Sequence, residues 1–213
     1  MKLDRLVALV GDLPCFDLAA LVQLAGEKRT TRRMQLYRWT AQGKLVALRR
    51  GMYALANPYR RTPINPAALA NQLYHPSYLS LHWALGYYGL IPEKVVTYTS
   101  VTTRGPRRFE NEMGQFQYTH IKQDCFFGSH IVPINGSRVL IAMPEKALLD
   151  FWHIARGEWS EERMAAMRWQ NVELVDAAKL RAWAVRFNSP RLIRAVQVWT
   201  ALADAGSAGT KQL

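Results

Sequence analysis

A chain of 213 residues with 49% hydrophobic and 11% aromatic content carries enough apolar side chain to bury a core, which excludes a disordered polymer. No apolar run approaches the roughly 18 residues of a membrane span, and the first residues lack the apolar stretch and cleavage site of a secretory leader, so no membrane association and a cytoplasmic location are expected. The net charge of +12 points instead to a polyanionic partner.

That charge is uneven. Up to Thr62, twelve Lys and Arg stand against four Asp and Glu, so the first third of the chain holds +8 of the +12. A basic stretch of this density attracts nucleic acid and releases its counterions. An anionic membrane surface would want an amphipathic helix with aromatics opposite its lysines, and none is evident there. Cys15 and Cys125 lie far apart in no metal-binding spacing and are expected to be unpaired thiols.

From Lys2 to Val10, Leu3, Leu6, Val7 and Val10 share one face of a first helix, closed by Gly11. Pro14 interrupts, and Asp17 is placed to cap a second helix from Leu18 to Ala25, ended by Gly26. Glu27 to Thr30 forms a turn. Thr30 or Thr31 then caps a third helix from Arg32 to Gln42, which Gly43 ends. Within it Leu36 and Trp39, with Leu45 beyond, face a core, and Arg32, Gln35, Arg38 and Gln42 are expected on the other side. Arg forks onto guanine and Gln onto adenine, so Arg32, Arg33, Gln35, Arg38 and Gln42 are the candidate base readers. Lys44 to Leu48 and Met52 to Leu55 read as strands joined by Arg49-Arg50-Gly51. Lys28, Arg29, Thr31, Tyr37, Lys44, Arg49 and Arg50 are the candidate phosphate contacts. Two short helices, a third helix and a hairpin follow the order of a winged helix-turn-helix, here residues 1–61. Three prolines between Ala56 and Pro66 mark a linker, with a boundary near Arg61.

The second domain, residues 62–205, opens with a helix from Pro66 to Leu73 and another, capped by Ser77, from Tyr78 to Tyr88. A β-branched run from Val95 to Thr102 leads to a basic loop, where Arg104, Arg107 and Arg108 offer a secondary nucleic-acid contact. A hairpin from Phe109 to Ile121 turns at Asn111 to Gly114. Strands from Gly128 to Ile134 and from Arg138 to Ala142 are joined by Asn135-Gly136, a tight-turn pair. These strands predict an antiparallel sheet of four or five. Pro144 and Glu145 suit the start of a helix running to Ala155, followed by helices over Glu161 to Trp169, Ala177 to Phe187 and Pro190 to Ala203. Residues 206–213 are small and polar, and a flexible tail is expected. The fold class is α+β, a winged helix-turn-helix followed by a mixed domain with C-terminal helices.

Nothing in this pattern specifies catalysis. The five histidines are scattered, and Asp150 with His153 reads as a local pair steadying a helix. No E-x-K or D-x-K pair suits a metal-dependent nuclease, and no glycine-rich phosphate loop occurs. No catalytic residue, metal or cofactor is expected.

Pro76 to Glu93 (PSYLSLHWALGYYGLIPE), Thr97 to Thr102 (TYTSVT), the FEN and GQFQYTHI pieces between Phe109 and Ile121, and above all Ile141 to His153 (IAMPEKALLDFWH) resemble the AbiEi family of antitoxins from type IV toxin–antitoxin systems of phage defence. The N-terminal helices and the RRGMYAL wing resemble the same family, so the likeness spans about residues 1 to 155. It implies a winged-helix DNA-binding domain joined to an antitoxin domain. It further implies repression of the protein's own operon at inverted repeats in the promoter, and a functional partner in an AbiEii-type nucleotidyltransferase toxin. Two other readings stay open: a winged-helix regulator whose C-terminal domain senses a ligand, and a nucleic-acid-processing defence enzyme.

Overall fold

A computed structural model describes residues 1–25 and 29–209, with side chains for residues 1–23 and 30–205. The chain begins with α1 (Leu3–Val10), whose Leu6 and Val10 are four apart and both buried. Strand β1 (Phe16–Asp17) leads into α2 (Leu18–Ala25), and α3 (Arg29–Ala41) follows. Helix α3 starts three residues earlier than the sequence predicts, so Thr30 and Thr31 lie inside its first turn and are not its cap. At its other end Gly43 has φ +69°, the Gly43 N–H bonds Thr40 O at 3.0 Å and the Lys44 N–H bonds Trp39 O at 2.9 Å. That paired closure needs a left-handed residue, and glycine takes it without a Cβ clash.

Strands β2 (Leu45–Arg49) and β3 (Met52–Leu55) form the expected hairpin, and β1 adds to it in the order β1-β3-β2. The two faces of this hairpin have different partners. Leu45 and Leu55 join Leu6, Val10, Phe16, Leu18, Leu21, Leu36 and Trp39 in an N-terminal core. Val46, Leu48, Met52 and Ala54 belong to the larger core of the rest of the chain. Alternation along the strands places these sets back to back, so the hairpin is a shared wall.

Between Ala56 and Asn65 the chain runs back along the first module. The Arg61 N–H bonds Gly11 O at 3.1 Å and the Thr62 hydroxyl donates to Asp12 O at 2.9 Å. Helix α4 (Pro66–Leu73) has the predicted bounds; Asn65 accepts from the N–H groups of Ala67 and Ala68, and Pro66 occupies the first turn.

The sheet departs from expectation. It holds six strands, β4 (Ser77–Leu79), β5 (Tyr98–Thr102), β6 (Arg107–Asn111), β7 (Gly114–His120), β8 (Ser129–Ile134) and β9 (Ser137–Ala142), in the order β6-β7-β5-β4-β9-β8. Two neighbouring pairs, β4 with β9 and β5 with β7, are parallel, so the sheet is mixed and not antiparallel. Ser77, expected to cap a helix, opens β4, and the helix is only α5 (Leu81–Tyr87). The strand is favoured because Ser77, Tyr78 and Leu79 are all buried and pair with Thr102, Val101 and Ser100. Asn135 (φ +46°) and Gly136 (φ +74°) form the predicted turn between β8 and β9. Register puts Tyr118 and Tyr78 on opposite faces of the sheet: the Tyr118 hydroxyl donates to Ala70 O of α4 at 2.6 Å, and Tyr78 points to the long helix that follows β9.

That helix, α6 (Pro144–Ile154), is succeeded by α7 (Glu161–Ala165), α8 (Ala177–Arg186) and α9 (Pro190–Gly209). Ser160 caps α7 by accepting from the Arg163 N–H, and Asp176 caps α8 by accepting from the N–H groups of Ala178 and Lys179. Helix α7 stops short of Trp169, and Arg168 and Asn171 take positive φ just beyond it. Residues 206–209, expected in a flexible tail, continue α9, and 210–213 lie outside the described residues. Among the described residues no helix is long and apolar enough to cross a membrane.

Candidate nucleic-acid interface

Helix α3 presents one face to the N-terminal core and the other to solvent. Leu36 and Trp39 are buried as predicted. Thr30, Thr31, Arg33, Met34, Tyr37, Arg38, Ala41 and Gln42 are exposed. Arg32 is not among them. It is 0% exposed, because at helical spacing it falls beside Leu36 and Trp39 rather than beside Arg38. Its Nη1 donates to Gln35 Oε1 at 2.7 Å, and Gln35 Nε2 donates to Met1 O. The pair thus fastens the start of the chain to α3, and both side chains are withdrawn from base reading. Arg33, Arg38 and Gln42 keep the outward placement that reading requires. Tyr37 stands 68% exposed on the same face. Lys28 lies outside the described residues, as does the side chain of Arg29.

The hairpin tip divides its two arginines. Arg49 Nη2 meets Asp17 Oδ1 at 3.4 Å, with the two side chains 27% and 46% exposed, and its Nη1 donates to Arg50 O at 3.1 Å. The Leu18 N–H bonds Gly51 O at 2.8 Å, so the tip is tied down to the start of α2 instead of projecting from the module. Asp17, expected only as a helix cap, therefore offsets the charge of Arg49, leaving Arg50 exposed and Lys44 half-buried beyond the end of α3. Sequence reading paired Arg49 with Arg50 by adjacency and had no means of seeing Asp17 opposite.

A second basic surface lies on the edge strand β6. Arg107 and Arg108 are exposed there, and Pro106 to Arg108 with Gln117 to Thr119 line a shallow cleft. Arg104 is more constrained, with its guanidinium 4.5 Å from the Tyr74 ring centre and Nη1 donating to His75 O at 3.1 Å. Cation–π contact of this kind holds a side chain in place without neutralising it.

Residues Met143 to Asp150 show what the sequence did not reveal. Asp150 does not bond His153; its carboxylate takes hydrogen bonds from Lys146, from the Ser80 hydroxyl at 2.7 Å and from the Tyr78 hydroxyl at 3.2 Å. Lys146 and Asp150 are both fully buried, and Lys146 Nζ lies 4.8 to 5.6 Å from the ring centres of Phe187, Phe127 and Tyr78. Burial lowers the Lys146 pKa and raises that of Asp150, while each partner pulls the other back. Glu145, 2% exposed, accepts from the Asp176 N–H at 3.1 Å and meets Lys179 Nζ at 3.4 Å. Glu145 joins α6 to α8, Asp150 joins it to Ser80 and to Tyr78 of β4, and Lys146 pairs with Asp150 on α6 itself. The Lys146–Asp150 pair is sealed from solvent and ties α6 to β4 through Tyr78. The i,i+4 spacing of Lys146 and Asp150, with four apolar residues nearby in Ala147, Leu148, Leu149 and Phe151, was the available signal.

His153 packs its ring against Phe187 at 5.1 Å between centres. Among the described residues no group of three His, Cys, Asp or Glu is placed to hold a metal ion. Neither a protein-family model nor a curated protein matches the chain.

Proposed function

We propose that the protein is a DNA-binding repressor, its first 61 residues forming a winged helix-turn-helix with α3 as the recognition helix. The observation that carries this reading is the outer face of α3: Arg33 and Arg38 are exposed on it, Gln42 is exposed just past its end, and the helix has no acidic residue to compensate them. Both arginine and glutamine match base-edge geometry in a major groove about as wide as a helix. Arg50 and Lys44 flank that face and supply backbone contacts, and the excess charge of the first third supplies steering. Arg104, Arg107 and Arg108 offer a second, weaker contact with the flanks.

The resemblance to AbiEi antitoxins extends the reading. On it, residues 62–205 form an antitoxin domain, the operator lies at inverted repeats in the protein's own promoter, and the chain counters a nucleotidyltransferase toxin in the cytoplasm without being an enzyme. The test is a shift assay of the full chain on its own promoter at two salt concentrations, with growth measured when the adjoining nucleotidyltransferase gene is expressed. Retarded promoter DNA, competed poorly by random DNA, together with rescued growth is the expected result. Rescue without any DNA binding removes the repressor reading and leaves the antitoxin reading standing.

A further inference from the structure

The centre of α3's outer face is not basic. At about 3.6 residues per turn, Thr30, Met34, Tyr37 and Ala41 fall in one stripe along the helix. All four are exposed, Met34 at 54% and Tyr37 at 68%. Arg33 runs along one side of that stripe and Arg38 and Gln42 along the other. Large apolar side chains gathered on an exposed face commonly mark a surface that a partner covers. Here the flanks select the partner, because cations on both sides and no acid on the helix repel a second copy of the same face and attract a polyanion.

Resting on the DNA-binding reading above, we propose that this stripe seats on thymine methyl groups at the floor of the major groove, with Met34 and Tyr37 the residues that select thymine. The C5-methyl of thymine is the apolar group that base edges present in the major groove, and apolar side chains read it by contact. Arg33 and Arg38 then reach outward to guanines or to the groove walls. Each bound site accordingly has A·T pairs at the centre of the contact and G·C pairs or phosphates at its edges. Tyr37, assigned to phosphate on sequence alone, moves to the base-reading set, and Met34 enters it.

The experiment uses the full chain and a pool of duplexes randomised over about 20 base pairs, a length that spans two successive major-groove contacts. The enriched duplex is remade with deoxyuridine in place of thymine at each selected position, which removes the methyl and leaves every hydrogen-bonding group. Affinity is expected to fall about fourfold for each contacted methyl removed, the value of one buried methyl-sized group. The double variant Met34→Ala with Tyr37→Ala, altered only at exposed positions, is expected to bind the thymine and deoxyuridine duplexes almost equally, and Met34→Ala alone to lose part of the discrimination. Equal affinity of the unaltered protein for both duplexes, while Arg38→Ala still weakens binding, overturns methyl reading and leaves DNA reading intact. A Met34→Ala change in sedimentation behaviour with no change in thymine discrimination assigns the stripe to self-association and also overturns it. Failure of the pool to enrich, with Arg38→Ala indistinguishable from the parent, is the separate failure of the DNA-binding reading itself.

Discussion

Helices α3 and α6 both carry charge among apolar residues, and they dispose of it in opposite ways. On α3, Arg33 and Arg38 stand in solvent with no acid on the helix to meet them. On α6, Glu145, Lys146 and Asp150 are all buried, and each is met by a partner from another element or from its own helix. An uncompensated charge in water costs little and waits for a polyanion. A buried charge survives only when it is paired and hydrogen-bonded. On the DNA-binding proposal, the contrast separates a surface open to a partner from a joint within the fold, although both read as short charged runs in the sequence.

The contrast breaks most visibly at the buried pair. Lys146→Ala leaves Asp150 buried with its Ser80 and Tyr78 bonds and no cation, and is expected to cost about 3 to 5 kcal/mol in denaturant unfolding. Replacing both members with apolar residues of similar volume is expected to cost much less than the two single changes together. A loss under about 1 kcal/mol for Lys146→Ala, the level of a surface pair, would place the cluster among dispensable contacts.

The joint between the two cores has its own reporter. Cys15 Sγ donates to Gln72 Oε1 of α4 at 2.8 Å, and burial together with nearby Asp17 pushes its pKa up from 9.0 to about 11. A thiol whose pKa is raised stays protonated at neutral pH, so at pH 8 thiolate is about a hundredfold scarcer than on a free cysteine. Alkylation is therefore expected to be slow at pH 8 and to climb as pH approaches 11. Leu48→Lys, which charges the hairpin face that belongs to the larger core, is expected to loosen the joint and speed the reaction at pH 8. Equal rates in the two proteins would show that the hairpin does not hold the modules together.

Much of this architecture was legible where local chemistry decides it. Pro66, Asn135 with Gly136, Pro144 and Gly43 each mark an element end by a backbone preference that no distant partner has to supply. Helix ends at α3, α7 and α9 moved by a few residues, and the failures of sheet topology involve distance along the chain. Strand β4 is three residues long, and its identity comes from β5 and from Ile141 of β9, which a serine reading as a helix cap cannot reveal. Strands β5 and β7 run parallel because β6 sits outside them at the sheet edge, an ordering that adjacency in sequence argues against. In the candidate site, Arg32 and Arg33 are neighbours of one type, and helical phase separates them: Arg32 falls beside Leu36 and Trp39 and meets Gln35, which Met1 holds from 34 residues away, while Arg33 faces solvent.

That last pair sharpens the comparison within α3 itself. Arg38→Ala is expected to cost about 1 to 3 kcal/mol on the preferred duplex and to relax preference at one base, with thermal stability unchanged. Arg32→Ala reverses the pattern, losing about 1 to 3 kcal/mol of folding stability by releasing Gln35, while the folded fraction keeps its base preference. Loss of discrimination in a fully folded Arg32→Ala protein would return Arg32 to the groove and would require α3 to turn on its axis when it binds.

The smallest effect expected is at the hairpin tip, where one charge is met and its neighbour is exposed. Arg50 is exposed, so, on the DNA-binding proposal, Arg50→Ala is expected to remove a phosphate contact and to make the log–log dependence of affinity on salt shallower by about one unit, on preferred and random duplexes alike. Arg49 reaches Asp17 at 3.4 Å, so its charge is already partly offset before DNA arrives. Arg49→Ala is accordingly expected to change the salt slope by well under one unit. Its pairing is part-buried and solvent still reaches both partners, so its loss is expected to cost about 1 kcal/mol of stability and to keep the protein folded for the measurement. Asp17→Asn supplies the control, since it frees Arg49 without adding a cation; a slope that steepens toward one unit more than the parent's means that Asp17 holds a phosphate ligand in reserve. Identical slopes for Arg49→Ala and Arg50→Ala would mean that DNA displaces Asp17, and the tip would then act as a pair of equal backbone contacts.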